Sequence, residues 1–191
     1  MRKKYLLLAL VATVSLVLDQ ATKVWIRNNL PIGGRPIEVI DNYFHIVHAE
    51  NTGAAWGLLR EAEWRIPFFV VTTLIAVGVI LYYYYRLDND DTLQGTGLAL
   101  ILGGALGNFI DRVTYQSVTD FIEIYAGTDP LRSFFIDKFH SNRWPAFNIA
   151  DAAIVVGIGI ILYYIFVVEP RMEKAREVHP DGAEAVVPGG N

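Results

Sequence analysis

The residues best placed to do chemistry in this chain are aspartates in apolar company. Asp151 follows FNIA and opens a stretch, Ala152 to Val168, that carries no charge. Asp120 stands in VTDFIE, shortly after the Asn108, Asp111 and Arg112 of GNFIDR. An ionisable group at the margin of a membrane-crossing run is expensive and is by default a functional hypothesis. Two carboxylates close together in a partly desolvated site cannot both ionise freely, so their titrations separate and the pair holds one proton between them. One acid then activates water while the other protonates a carbonyl oxygen or a leaving nitrogen, the chemistry of amide hydrolysis.

Other chemistries are poorly served. Ser117, Ser133 and Ser141 sit in no GxSxG or similar nucleophile setting. His45 and His48 are three apart in a strand-like segment, a spacing that turns them to opposite faces, and HExxH is absent, so no metal or other cofactor is expected. With no cysteine, disulfides and thiolate catalysis are excluded. A net charge of −4 gives no indication of a nucleic-acid partner.

The elements that must hold these acids are membrane helices. A 53% hydrophobic share comes from a few long runs rather than scattered core positions. A hydrocarbon core of about 30 Å takes about 20 helical residues. Spans are expected at about 5–25, 66–85, 93–110 and 151–168, giving one membrane-embedded unit over 1–168 and a polar, disordered cytoplasmic tail over 169–191. The first run follows MRKK and ends in LDQATK with no small-residue cleavage site, which predicts a retained helix whose N-terminus is cytoplasmic. Four spans return the C-terminus to the same side, with RLDNDD as a tight cytoplasmic turn. The two outer segments are longer. PIEVIDNYFHIVHAENTGAAWG predicts a short β element, and PLRSFFIDKF a short helix lying in the interface. The fold class is thus an α-helical integral membrane protein with a small extracytoplasmic β element and a short interfacial helix.

Three of the spans have polar ends, and this topology puts all three at the outer side: Asp19 and Lys23, then Asn108, Asp111 and Arg112, then Asn148 and Asp151. Each has a purely local explanation. Asp19 and Lys23, four apart on one face, either pair to end a helix or serve a site. Asn148 and Asp151 fit a helix cap as well as a site. Gly103 and Gly107 form a GxxxG that favours close helix packing, and Asn51-Thr52-Gly53 suits a turn. Local explanations leave open why the polar ends coincide.

Together, LDQATK, ENTGAAWG, GGALGNFIDR with VTDF, and WPAFNIADAA closely resemble lipoprotein signal peptidase, the bacterial type II signal peptidase, over roughly residues 15 to 168. The resemblance implies an aspartic endopeptidase without a cofactor, with catalytic Asp120 and Asp151 supported by Asp19, Lys23, Asn51, Gly53, Asn108, Arg112 and Asn148. It implies a bacterial inner-membrane, multi-pass enzyme with its active site toward the periplasm. Its substrates would be diacylglyceryl-prolipoproteins, cut just before the lipidated cysteine, and its surroundings membrane lipids; a monomer is expected. The chain departs from the pattern in one place: the interval from Asp120 to Asp151 is longer than the family's and adds Asp129 and Asp137. Two rival classes are weighed against it. A proton-coupled transporter would use the acids as a relay, but such sites lie near the midplane between repeated halves, and no repeat is visible. A scaffold protein would explain the caps and the GxxxG but not the second acid.

Overall fold

The computed structural model describes residues 3–53 and 63–172, and among these four helices are long and apolar enough to cross a membrane. They are α1 (Lys3–Asn29), α2 (Arg65–Arg86), α3 (Thr92–Tyr115) and α5 (Ile149–Tyr163), the last running on through a π-helical turn (Tyr164–Val168) to Met172. The elements outside these four helices are β1 (Ile37–Ile40), β2 (Phe44–Asn51), β3 (Val118–Ile124) and α4 (Leu131–Phe139). The fourth helix therefore extends past the expected boundary at Val168. Residues 173–191 of the expected tail, and the last four residues of ENTGAAWG, lie outside the described residues.

Helix α3 is the hub. Most of its span is buried within the protein, whereas the other three turn most of their length outward. Small residues make this possible. A side chain at Gly103 would meet Ala12 and Ser15 of α1; one at Gly104 would meet Ala150 and Ile154 of α5; one at Gly107 would lie 2.5 Å from the Asp19 carboxylate. Further along the same faces, toward the opposite end of the bundle, Gly97 and Gly157 pack backbone to backbone. Without a hydrophobic drive between helices in lipid, such close approach supplies the packing that holds the bundle together. On the third side, α2 packs Ile80 and Tyr84 against Leu98 and Leu102.

The turn between α2 and α3 is closed by Asp91, whose side chain accepts from the Gln94 backbone N–H. At the opposite end α3 stops at Gln116, which takes the left-handed conformation (φ 60°) common just past a helix C-terminus. Only Ser117 then separates it from β3. That abrupt reversal brings β3 directly over the polar end of α3.

The strands form an antiparallel sheet in the order β1-β2-β3. Asn51 lies opposite Val118 and Ala49 opposite Asp120, and a bulge interrupts the register between Ile46 and Ala49. The bulge corrects one expectation: the extra residue resets the alternation of side chains, so His45 and His48 are both buried rather than facing opposite ways. His45 stacks on Tyr125 and meets Glu123, whereas His48 bonds to the Leu30 carbonyl, so the rings serve separate contacts. The far edge of β3 is covered by the chain returning to α5, with Phe121 and Ile122 N–H both donating to the Phe147 carbonyl.

Candidate active site

The site is built at the end of the bundle next to the sheet, where α1, α3 and α5 meet under β3. Asn148 is the N-cap of α5: its side chain accepts from the Asp151 N–H at 2.9 Å, and the Asp151 carboxylate accepts in return from the Asn148 N–H at 3.3 Å. This reciprocal box satisfies two backbone donors that a helix start leaves free. It also fixes the direction of the Asn148 amide group. Its Nδ2 donates to Asp120 Oδ1 at 2.7 Å and to Asn108 Oδ1 at 3.2 Å. Asn108 Nδ2 in turn donates to Asp151 Oδ1 at 2.7 Å. Two amides thus link the two carboxylates in a continuous path, Asp120 to Asn148 to Asn108 to Asp151.

The other side of Asp120 is held from β2. Asn51 Nδ2 donates to Asp120 Oδ2 at 3.1 Å, while Asn51 Oδ1 accepts from the Gly53 N–H at 3.1 Å. The Asn-Thr-Gly segment is therefore a turn as well as part of the site: the Gly53 bond aims the Asn51 amide at the acid. Asp120 is only 3% exposed, whereas Asp151 is half-buried. Burial, with the Asp151 charge nearby, pushes the Asp120 carboxyl from the ordinary carboxylate range up to about 7, against the opposing pull of the Asn51 and Asn148 bonds and the Lys23 charge.

Behind the acids lies a buried ionic base. Lys23 Nζ contacts Asp19 at 2.9 Å and Asp111 at 3.4 Å, and donates to Asn108 Oδ1 at 3.0 Å. Asn108 Oδ1 thus accepts from both Lys23 and Asn148, which orients its Nδ2 toward Asp151. Asp19 also accepts from the Ala150 N–H at 2.9 Å and so supports the first turn of α5. Arg112 donates to the Asn108 carbonyl at 3.4 Å and lies over the Phe69 ring, beside the acids rather than hydrogen-bonded to them among the described contacts.

All nine residues expected at the site fall in or beside this cluster. Three others join it to which the sequence reading assigned no role. Asp111, fully buried, accepts from Gln20, Arg27 and the Thr119 N–H and lies by Lys23. Arg27 and Gln20 complete the base, Gln20 also reaching Asp19 and the Gly107 carbonyl. A signal for Arg27 existed: with Asp19 and Lys23 it forms an i, i+4, i+8 stripe on one face of α1. The extra acids behave differently. Asp129 accepts from the Ser133 hydroxyl, and Asp137 pairs at the surface with Lys138.

Comparison with known proteins converges on one family. The family model described as signal peptidase (SPase) II matches residues 11–167. Lipoprotein signal peptidase of Geobacter sulfurreducens is 41% identical over 161 residues, 84% of this chain and 92% of the relative. That of Syntrophotalea carbinolica is 37% identical over 159 residues, 83% and 90% of the two chains. A solved bacterial membrane enzyme structure, obtained in meso at 1.9 Å, superposes with a TM-score of 0.69 at 31% identity, covering 84% of this chain and 92% of that one.

Proposed function

The chain belongs to the signal peptidase II family and removes signal peptides from prolipoproteins, and we propose that Asp120 and Asp151 are the pair with which it does so. The observation that carries this reading is the amide path joining the two carboxylates, with Asp120 pushed up to about 7. At neutral pH the pair holds one proton, assigned at the start of the cycle to Asp120. Asp151, half-buried and so nearer to water, takes a proton from the attacking water as its oxygen bonds to the scissile carbonyl carbon. Asp120 gives its proton to the carbonyl oxygen. In the second half Asp151 passes the proton it gained to the leaving nitrogen, the C–N bond breaks, and Asp120 recovers its own proton from the intermediate. Water is consumed and both carboxyls return to their starting states.

The supporting residues divide the remaining work. Asn51, Asn108 and Asn148 donate to the carboxylates and fix their planes. Lys23 with Asp19 fixes Asn108 and the start of α5. Gly53 aims Asn51, and Arg112, whose charge lies near both acids, stabilises negative charge developing between them. The acids stand at the membrane margin because the bond to be cut is anchored there. In this reading the substrate cysteine already carries diacylglycerol and cleavage falls just before it. Each buried acyl CH₂ contributes about 0.8 kcal/mol, so two chains hold that cysteine at the surface far more firmly than the peptide alone.

The same reading puts this multi-pass chain in the bacterial inner membrane, termini cytoplasmic and acids toward the periplasm; the basic MRKK segment supports that orientation. Monomeric action is part of the same reading. The relatives are peptidases, which leaves the proton-relay transporter without support. The test is turnover of matched lipobox peptides, with and without the diacylglyceryl group, in one nanodisc preparation. Release of a product beginning at the modified cysteine, with the unmodified peptide cleaved poorly, is expected. Equal rates for the two peptides would remove the depth explanation.

A further inference from the structure

We propose that Arg27, outside the motifs that identify the family, is a positioning residue for the reaction, clamping the peptide that leads into Asp120. The inference rests on the reading of Asp120 as catalytic.

The clamp spans three elements. From α1, Arg27 Nη1 donates to the Thr119 hydroxyl at 2.9 Å and to Asp111 Oδ1 at 3.3 Å. From α3, Asp111 Oδ2 accepts from the Thr119 N–H at 3.0 Å. The guanidinium lies 4.3 Å from the centre of the Tyr115 ring, which supports it from the end of α3. Thr119 is thus held by its backbone and its hydroxyl at once, and the next residue is Asp120. The anchor is needed at this point. A bulge in β2 lies beside Asp120, and a bulge disrupts the ladder that would otherwise fix a strand. What the sheet supplies loosely here, Arg27 and Asp111 supply from the helices.

Arg27 also completes the charge balance of the base. Asp19 and Asp111 are two anions, and Lys23 and Arg27 the two cations that face them. Removing Arg27 leaves Lys23 shared between two anions with a net negative charge behind the site. The groups around Asp120 are Asn51 from β2, Asn148 and Asp151 at the start of α5, Lys23 from α1, and Arg112 and Asp111 from α3. With one cation fewer among them, Asp120 gives up its proton less readily.

The two effects separate in an experiment on the full chain in nanodiscs with the diacylglyceryl lipobox peptide. Steady-state rates against pH are compared for the native chain, Arg27→Lys, Arg27→Met, Thr119→Val and the Met/Val double variant. Arg27→Met should lower kcat by about 10- to 100-fold with little change in KM, and move the limb set by Asp120 to higher pH. Arg27→Lys keeps the charge but not the planar fork, so the limb stays while kcat is only partly restored. Thr119→Val keeps the shape, lowers kcat and leaves the limb in place. The double variant should be no worse than Arg27→Met alone, since the hydroxyl has already lost its partner. A native kcat and pH profile in Arg27→Met overturns the proposal, as does simple additivity with Thr119→Val. If Arg27→Met does not fold, a native kcat in the isosteric Thr119→Val overturns it by itself. An active Asp120→Asn defeats the catalytic reading; an inactive Asp120→Asn beside a native Arg27→Met defeats only this inference.

Discussion

Two lysines are buried at opposite ends of α1, about 30 Å apart at the rise of an α-helix. Lys4 donates to the carbonyls of Tyr85 at 3.0 Å and Leu87 at 2.5 Å, and the Tyr84 hydroxyl donates back to the Lys4 carbonyl at 2.6 Å. It is a cation set on the open carbonyl end of α2, where free acceptors and the helix dipole both favour it. Lys23, wholly buried, instead faces Asp19 and Asp111 and the side chain of Asn108, which passes its orientation on to Asp151. The same residue type closes a helix at one end and braces an acid pair at the other. What differs is the partner: backbone carbonyls need no further neighbour, whereas carboxylates and amides carry the constraint onward. Burial alone does not mark a functional charge. Burial within a chain of side-chain contacts that ends on a reactive group does.

The largest effect should come from the end of that chain. Replacing either Asp120 or Asp151 by Asn is expected to cut turnover at least about 1,000-fold, and replacing both should cost little more, because acid and base act as a unit. Elution profile and helicity should stay native. A single variant retaining a tenth of the native rate would dissolve the contrast between the two ends.

One step back, Lys23→Met and Lys4→Met compare the lysines directly. Losing Lys23 leaves Asp19 facing Asp111 and frees Asn108 to rotate, so turnover should fall by about 100-fold, with a stability loss of about 3–5 kcal/mol for a broken buried pair. Losing Lys4 removes a cap, which costs about 1–2 kcal/mol and leaves the rate per folded molecule unchanged. Thermal unfolding alongside specific activity distinguishes them. Equal loss of specific activity in both would mean that packing, not the contact chain, governs the site.

Asn51→Ala should have a smaller and more diagnostic effect. Its amide is one of the forces pulling the Asp120 carboxyl down toward the ordinary range. The sign follows: on the proposed mechanism the raised group donates a proton below about 7 and loses that role as pH rises through about 7, so native activity should decline on the alkaline side. Without the Asn51 bond the carboxyl rises further, and the alkaline limb should move to higher pH while kcat falls about tenfold. Asn42→Ala is the comparison. Asn42 occupies a left-handed position (φ 68°) in the turn after β1, so its replacement strains that turn without touching either acid. A limb that moves equally in both variants would show that sheet stability, not the Asn51 bond, sets the pH profile.

The contrast also explains how much could be read beforehand. Apolar runs and their polar ends are local properties, so the spans and the gathering of Asp19, Asn108 and Asp151 at one end were legible. The choice between cap and site at Asn148 was not a real choice, since a capping box spends one oxygen and two backbone groups and leaves Nδ2 free to reach Asp120. Strand β3 was missed because VTDFIEI finds its partner in β2, far away in sequence, and is brought there by the left-handed turn at Gln116. Side-chain alternation misplaced His45 and His48 because a bulge has no reliable sequence mark. Asp111 and Arg27 went unassigned because their meaning lies in Thr119, which only the fold brings to them.

The smallest effect should come from the acids of the long segment between β3 and α5. By residue type Asp129 and Asp137 are equal to Asp120 and Asp151, and all four lie between the start of β3 and the first turn of α5. Their surroundings differ. The Asp137 side chain is 73% exposed and pairs with Lys138, an arrangement in which water screens the charge and little depends on it. Asp129 accepts from a hydroxyl one helical turn ahead, a local contact at the entrance to α4 that reaches neither carboxylate of the pair. Among the described residues neither acid has an amide path to another acid or a buried cation behind it. Asp129→Asn and Asp137→Asn, singly or together, should therefore leave kcat, KM and the alkaline limb within about twofold of native. A larger loss in Asp137→Asn with native stability would mean that α4 contacts the substrate during turnover, and the acid-bearing region would then extend beyond the bundle end to the inserted helix.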